Sequence, residues 1–168
     1  MLSKTIEAAL NEQIKNEFYS AYLYLSMSAY CETKNMPGFA NWMFQQYEEE
    51  NAHAMRLFKF LNDRGGKVLL KAIDQPPSEF HSPLSLFENV LDHEQKVTGM
   101  IHDLYALAVK ENDYATQVEM QWFIAEQVEE EKNAGDVVEQ LKLADDNKTA
   151  LLMLDRELGS RNAGGGEQ

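Results

Sequence analysis

The sequence predicts an all-α protein: an up-down-down-up four-helix bundle with a long crossover between helices 2 and 3 and a short fifth helix near the C-terminal end. Three observations indicate this fold. Apolar residues recur at alternating steps of three and four along four long stretches, as in amphipathic helices. Only 9 Gly and 4 Pro occur in 168 residues, which favours long uninterrupted helices. Residues 67–81 show no such period and are long enough to travel the length of a bundle, so helices 2 and 3 are expected to run parallel.

Local signals set the predicted helix ends. Ser3 and Asp113 are placed to cap the first and fourth helices, and Ser82-Pro83 combines a capping residue with a proline at the first helical position. A pair of glycines after residue 64 closes the second helix. The fifth helix is too short to be stable alone, so it must bury its apolar side against the bundle or another subunit. The predicted helices cover residues 4–33, 37–64, 83–111, 114–143 and 148–158.

Composition and charge exclude several classes of protein. Apolar residues make up 44% of the chain, so we expect one folded domain over residues 1–160, with a disordered tail over 161–168. The net charge of −13, without a basic patch, argues against nucleic acid as a partner. Cys31 is the single cysteine, which excludes an internal disulfide and a cysteine-based zinc site. No stretch approaches the roughly 20 apolar residues of a membrane span, and the start lacks a signal-peptide core, so we expect a cytoplasmic protein with no membrane partner.

A Glu-x-x-His step in the second predicted helix is the strongest chemical signal. Glu50 and His53 are three residues apart, so both project from one face of the helix. That face is the apolar stripe, in which an unpartnered polar group is costly. A metal ion would take both a carboxylate and a neutral imidazole. The alternatives at this point are a buried salt bridge and a satisfied core histidine.

Each of the other three long helices also has polar residues within its apolar stripe. These are Glu17 in the first, Glu94 in the third, and Gln127 and Glu130 in the fourth. All lie within about three residues of the middle of their helix, an axial offset of at most about 5 Å. Packing the helices side by side therefore collects them at one level of the core, whichever way each helix runs. Without a cation several of these carboxylates would have to be held protonated, so the layout favours the two-metal carboxylate bundles.

The predicted ligands suggest the metal. Carboxylate oxygen with one imidazole and no thiolate suits iron or manganese and tolerates zinc. A second set of acids, Glu49, Glu126 and Glu129, flanks the first on helices 2 and 4. This second set is either a further metal position or a solvated charged face. His93 points away from the apolar stripe of helix 3, so it is interpreted as a surface histidine.

At these residues the sequence closely resembles the non-haem ferritins of bacteria and archaea, from Leu2 to about Ser160. The resemblance implies a ferroxidase, which oxidises Fe²⁺ with O₂ or H₂O₂ at a diiron centre inside each subunit. It further implies an iron store, with Fe³⁺ mineral inside a homo-oligomeric shell of twenty-four subunits. The stretches that carry it are Asn-Glu-Phe-Tyr-Ser-Ala-Tyr-Leu-Tyr-Leu-Ser-Met at 16–27, Glu-Glu-Glu-Asn-Ala-His-Ala at 48–54, Glu94, and Glu-Gln-Val-Glu-Glu-Glu-Lys at 126–132.

The resemblance also implies a role for each site residue. Tyr24 matches the tyrosine next to the diiron centre, an electron donor, and Trp122 is a weaker candidate for the same role, since a core or interface tryptophan is commoner. No electron donor for the release of stored iron is indicated. The implied iron ligands are Glu17, Glu50 and His53 at the first position, Glu50, Glu94 and Glu130 at the second with Gln127 beside them, and Glu49, Glu126, Glu129 and Glu130 at the third.

Departures from related families narrow this expectation. Haem-binding bacterioferritins have a methionine where this chain has Asn51, and they repeat Glu-x-x-His on helix 4 where this chain has Gln127 and Glu130. We therefore predict no haem. The acidic ring of the animal-ferritin three-fold channel falls on Gln117 and Met120, with Glu119 nearby, so the route by which iron enters is left open.

Two other functions remain compatible with the residues. One is a diiron oxidase or peroxidase that removes iron and peroxide while storing little iron, since the same ligands permit it. The single cysteine excludes the Cys-x-x-Cys iron module of rubrerythrin-like members of that class. The other is an interaction bundle without metal, for which the buried acids have no explanation.

Overall fold

The computed structural model describes residues 2–145 and 147–160. Within them the chain forms five helices and no strand, and the ends of the helices match the prediction within one residue. The all-α prediction is confirmed, while the predicted disordered tail at 161–168 lies outside the described residues. The helices are α1 (Lys4–Thr33), α2 (Pro37–Asp63), α3 (Pro83–Lys110), α4 (Tyr114–Ala144) and α5 (Lys148–Leu158).

Polar side chains cap the helix starts as the sequence predicts. The Ser3 hydroxyl accepts a hydrogen bond from the Ile6 amide, and the Asp113 carboxylate accepts one from Thr116. Ser82 and Ser85 form a reciprocal capping box at the start of α3. Each contact satisfies an amide that has no partner within its own helix, which is why the helices begin where they do.

The crossover fixes the directions of the helices. It leaves α2 beside the start of α1, where Asn11 bonds the backbone of Lys67 and Leu69. It reaches α3 beside the end of α1, where the Tyr30 hydroxyl donates to the Phe80 carbonyl at 2.6 Å. Helices α2 and α3 therefore start at the same end of the bundle and run parallel, which confirms the up-down-down-up arrangement.

Two apolar clusters fill the two ends of the bundle. One cluster lies around Phe39 of α2 and Phe87 of α3, and also includes residues from the late parts of α1 and α4. The other lies around Leu57 of α2 and Ile101 of α3. On each long helix most of the buried residues between the two clusters are polar. This polar layer is made of Glu17, Gln46, Glu50, His53, Glu94, Gln127 and Glu130.

The fifth helix docks on the start of α2. The first turn of α2 has no side-chain cap of its own, and Asp155 supplies one from α5 by accepting hydrogen bonds from the amides of Gly38 and Phe39 at 2.8 and 3.1 Å. A Cβ at residue 38 would lie 1.5 Å from the Asp155 carbonyl oxygen, so only glycine permits this approach. The predicted burial of α5 is thus achieved against the bundle. None of the described helices has the length and apolarity that crossing a membrane requires.

Candidate metal centre

Three of the predicted ligands form a compact group in the polar layer. Glu17 comes from α1, and Glu50 and His53 come from successive turns of α2. One ligand atom from each lies within 4.8 Å of the other two, and all three residues are buried. An ion bonded at about 2.1 Å to each ligand needs ligand atoms roughly 3–4 Å apart, so small side-chain movements complete this geometry.

Glu50 is the least satisfied residue of the group. Both of its carboxylate oxygens are inaccessible to solvent and have no permanent hydrogen-bond donor among the described residues. The neighbouring Glu17 carboxyl can donate to Glu50 when it is protonated. The His53 ring is near but its Nδ1 lies 3.6 Å from the carboxylate. Burial, reinforced by the charge of Glu94, raises the pKa of Glu50 well above its usual range. Burial also raises the pKa of Glu17, with the neighbouring Glu50 as the next cause. A bound cation would replace these protons, so the residues present fit a metal ion.

The remaining two buried acids are held by neutral donors. Glu94 accepts hydrogen bonds from the Tyr24 hydroxyl and, at 3.1 Å, from Gln127 Nε2. Glu130 accepts one from Gln46 Nε2 at 2.7 Å. Burial raises the pKa of Glu130 to about 7, with the charge of Glu94 as the second cause, and burial also raises the pKa of Glu94. These acids share the layer with Glu50 but are not part of the compact group among the described residues.

The flanking acids lie on the outer side of this layer. Glu49 and Glu126 are half-buried, and Glu129 is exposed. Partial burial raises the pKa of Glu126, and the charges of Glu129 and Glu49 raise it further, which places the three close enough to interact. They do not form a compact ligand group among the residues described.

The two aromatic candidates occupy different settings. Tyr24 is fully buried, and burial together with the charge of Glu94 raises the pKa of its hydroxyl. Trp122 packs edge-on against His53, with ring centroids 5.3 Å apart. The Arg56 guanidinium lies over the Trp122 ring at 3.9 Å and pairs with Glu119. Trp122 therefore contacts a candidate ligand through packing alone.

His93 is not the surface residue that the sequence suggested. Its Nε2 lies 2.8 Å from the Ser20 hydroxyl, and its ring contacts those of Tyr19 and Tyr24. Burial lowers the pKa of His93 to about 4. The prediction was wrong because residue 93 faces α1 rather than solvent, beside the stripe that carries Glu94. Polar residues at matching positions on α1, such as Ser20, are the signal that could have revealed it.

Sequence reasoning also missed two of the donors that hold the acids. Gln13 lies one turn before Glu17 and donates to it at 2.8 Å, and Gln46 lies one turn before Glu50 but donates across the bundle to Glu130. A glutamine one turn away on the same face is the signal for both. At the two positions that match the acidic ring of animal ferritins, Met120 is buried and the Gln117 side chain donates to the Ala108 carbonyl.

Comparison with known proteins identifies the family. Residues 7–144 match the family model of the ferritin-like domain. The bacterial non-heme ferritin of Staphylococcus saprophyticus is 41% identical over 162 residues, covering 96% of this chain and 97% of that protein. The counterpart in Staphylococcus aureus strain USA300 is 38% identical over 161 residues, covering 96% of this chain and 97% of that protein.

Solved structures agree with this match. An open pore ferritin from the archaeon Archaeoglobus fulgidus superposes with a TM-score of 0.95 at 51% identity, covering 96% of this chain and 98% of that one. A humanized archaeal ferritin gives a TM-score of 0.96 at 49% identity, covering 96% of this chain and 98% of that one. Matches of this extent and identity show that the chain belongs to the ferritin family, among the non-haem ferritins of bacteria and archaea.

Proposed function

We propose that this chain is an iron-storage ferritin with ferroxidase activity. It oxidises Fe²⁺ with O₂ or H₂O₂ inside each subunit and stores Fe³⁺ as a mineral within a shell of twenty-four copies. The observation that carries this proposal is the buried Glu17–Glu50–His53 group, in which both Glu50 oxygens lack a permanent hydrogen-bond donor among the described residues. A buried carboxylate without a donor is costly to maintain, and a cation is the partner it fits.

Two Fe²⁺ ions are the proposed substrates of one turnover. The first binds Glu17, Glu50 and His53. The second binds Glu50, Glu94 and Glu130, so Glu50 bridges the two ions, and Gln127 lies beside the second. Support for this division comes from the shared layer in which these acids raise one another's pKa. Binding displaces the protons that the raised pKa values favour, so iron uptake releases protons.

The oxidation balances with O₂ as a two-electron acceptor. Each Fe²⁺ loses one electron, and O₂ takes both electrons and two protons to give H₂O₂. With H₂O₂ as the oxidant, the two electrons and two protons give two molecules of water. Carboxylates favour the Fe³⁺ product because hard anionic oxygen prefers the higher charge. Tyr24, whose hydroxyl donates to Glu94, is the proposed source of one further electron when a third Fe²⁺ is present. Three Fe²⁺ and Tyr24 together supply four electrons, which with four protons, one of them from the Tyr24 hydroxyl, reduce O₂ to two molecules of water.

The flanking acids are the proposed binding position for Fe³⁺ after oxidation. Glu49, Glu126, Glu129 and Glu130 are the proposed third iron position, on the side of the layer nearer to solvent. The mutual effect of the Glu49, Glu126 and Glu129 charges supports this placement. A partly solvated site binds Fe³⁺ less permanently than a buried one, which suits transfer toward the mineral.

Aerobic addition of Fe²⁺ to the apoprotein tests the proposal. The wild type should gain ferric absorbance far faster than Glu50→Ala or His53→Ala. Glu88→Ala and His102→Ala are matched controls, because both residues are exposed on α3. Equal rates in wild type and site variants would end the ferroxidase proposal, and a monomer by light scattering would end the storage proposal. Retention of only a few iron atoms per subunit would instead identify a detoxifying oxidase.

A further inference from the structure

Gln127 is surrounded by acceptors on one side. Its Nε2 lies 3.1 Å from the Glu94 carboxylate, 3.2 Å from the Glu94 carbonyl oxygen and 3.2 Å from the Thr98 hydroxyl. A side-chain amide presents donors on its nitrogen and an acceptor on its oxygen. If the amide were reversed, its oxygen would face the two Glu94 oxygens. The nitrogen therefore faces α3, and the amide oxygen is turned away from Glu94.

Thr98 takes an unusual partner for a helical threonine. A hydroxyl at this position would ordinarily donate to the carbonyl four residues earlier, which is that of Glu94. Here it donates instead to the Glu131 carboxylate at 2.6 Å, across to α4. Its single hydrogen is then committed, so toward Gln127 the hydroxyl oxygen can only accept. Glu131 thereby removes the Thr98 hydroxyl as a donor that could stabilise a reversed amide.

We propose that Thr98 and Glu131 are positioning residues for the second iron position: they fix the Gln127 amide, which in turn holds Glu94. This inference rests on the proposed function. Glu131 orients the Thr98 hydroxyl, Thr98 orients the Gln127 amide, and this amide in turn holds Glu94. Each step acts through a hydrogen bond between α3 and α4. Neither Thr98 nor Glu131 belongs to the proposed ligands, so their effect is confined to the second iron position, and the Glu17–Glu50–His53 group is unaffected.

The test is a calorimetric titration of the assembled apoprotein with Zn²⁺, which is redox-inert and therefore reports binding without oxidation. The same titration is then repeated with Fe²⁺ under anaerobic conditions. Thr98→Val keeps the shape of the side chain and removes the hydroxyl. It should weaken the second binding step about fivefold, the effect of one typical hydrogen bond, and leave the first step unchanged. Thr98→Ser should restore the second step. Thr5→Val, at an exposed position on α1, is the matched control.

Glu131 provides an independent variant at a partly exposed position. Glu131→Leu removes the acceptor and should weaken the second step as Thr98→Val does, whereas Glu131→Gln retains an acceptor oxygen and should behave as wild type. Equal second-step affinity in wild type, Thr98→Val and Glu131→Leu would overturn the inference while leaving the proposed function intact. A wild type with no two-step binding would overturn both.

Discussion

The two halves of the polar layer use the same kinds of ligand but hold them differently. Glu50, with Glu17 and His53, is a compact group whose central carboxylate has no permanent hydrogen-bond donor among the described residues. Glu94 and Glu130 instead accept hydrogen bonds from Tyr24, Gln127 and Gln46. The first half is thus arranged for a cation, while the second half is satisfied without one.

This difference implies an order of binding. A cation at the first position replaces protons and relieves an unpartnered carboxylate, so little is lost when it enters. At the second position Glu94 and Glu130 must give up or share the hydrogen bonds from Tyr24 and Gln46, while Gln127 keeps its bonds to Glu94. Each hydrogen bond given up offsets about 1 kcal/mol of the binding energy. We therefore expect the first position to bind more tightly than the second.

Replacing Glu50 should have the largest effect, because it belongs to both proposed positions. Glu50→Leu should abolish both Zn²⁺ binding steps and lower the ferroxidase rate by more than about a hundredfold, beyond the usual effect of losing an indirect metal partner. The same change should stabilise the metal-free protein by about 1–3 kcal/mol, since it removes a buried carboxyl group without a permanent donor among the described residues. Chemical denaturation of the metal-free and Zn²⁺-loaded protein measures both effects.

Glu88→Leu is the matched control, because Glu88 is exposed on α3. It should change the free energy of unfolding by less than about 0.5 kcal/mol. A metal-free Glu50→Leu variant less stable than wild type would show that the first half is not strained, and the contrast between the halves would be lost.

The pH dependence of stability should report on the second half. The pKa of Glu130 rises from its ordinary value of 4.5 to about 7 on folding, so between these values the folded state binds more protons than the unfolded state. Stability from this group is fully present below about pH 4.5 and is lost as pH rises through 7, by roughly 3 kcal/mol. Denaturation of the metal-free protein between pH 5 and 7.5 measures the slope.

Glu130→Gln should flatten that slope by the one proton that Glu130 binds, because glutamine does not titrate, while Glu17, Glu50 and Glu94 keep their own raised pKa values. Saturating Zn²⁺ should flatten it too, since a bound cation favours the ionised carboxylate. An unchanged slope in Glu130→Gln would assign the pH dependence to the other buried acids and remove this distinction between the halves.

The sequence predicts the helices and the polar layer, but it does not predict the hydrogen bonds that distinguish the two halves of that layer. The helices and the polar layer follow from the apolar period and from the central placement of Glu17, Glu50, Glu94 and Glu130, which holds for either direction of each helix. The contrast between the halves does not follow from the sequence. It depends on how α1, α2 and α4 are rotated about their axes, because Gln46 lies on the helix of Glu50 yet bonds Glu130 on α4. His93 was misassigned for the same reason, since the period of α3 alone does not reveal which helix faces it.

Tyr24→Phe should have the smallest effect and isolates a single donor of the second half. The phenyl ring retains the packing of Tyr24 against Trp42, while Glu94 loses the hydroxyl that donates to it. We expect the metal-free protein to lose about 1–2 kcal/mol of stability, because a buried carboxyl group loses one partner. The second Zn²⁺ step should tighten slightly, since Glu94 no longer gives up that hydrogen bond, and the first step should not change.

Tyr30→Phe, which removes a hydroxyl bonded to the Phe80 carbonyl far from the layer, is the matched control and should leave both binding steps unchanged. A weakened second step in Tyr24→Phe would mean that the hydroxyl orients Glu94 for the metal rather than competing with it, and the proposed reason for tighter binding at the first position would then be wrong.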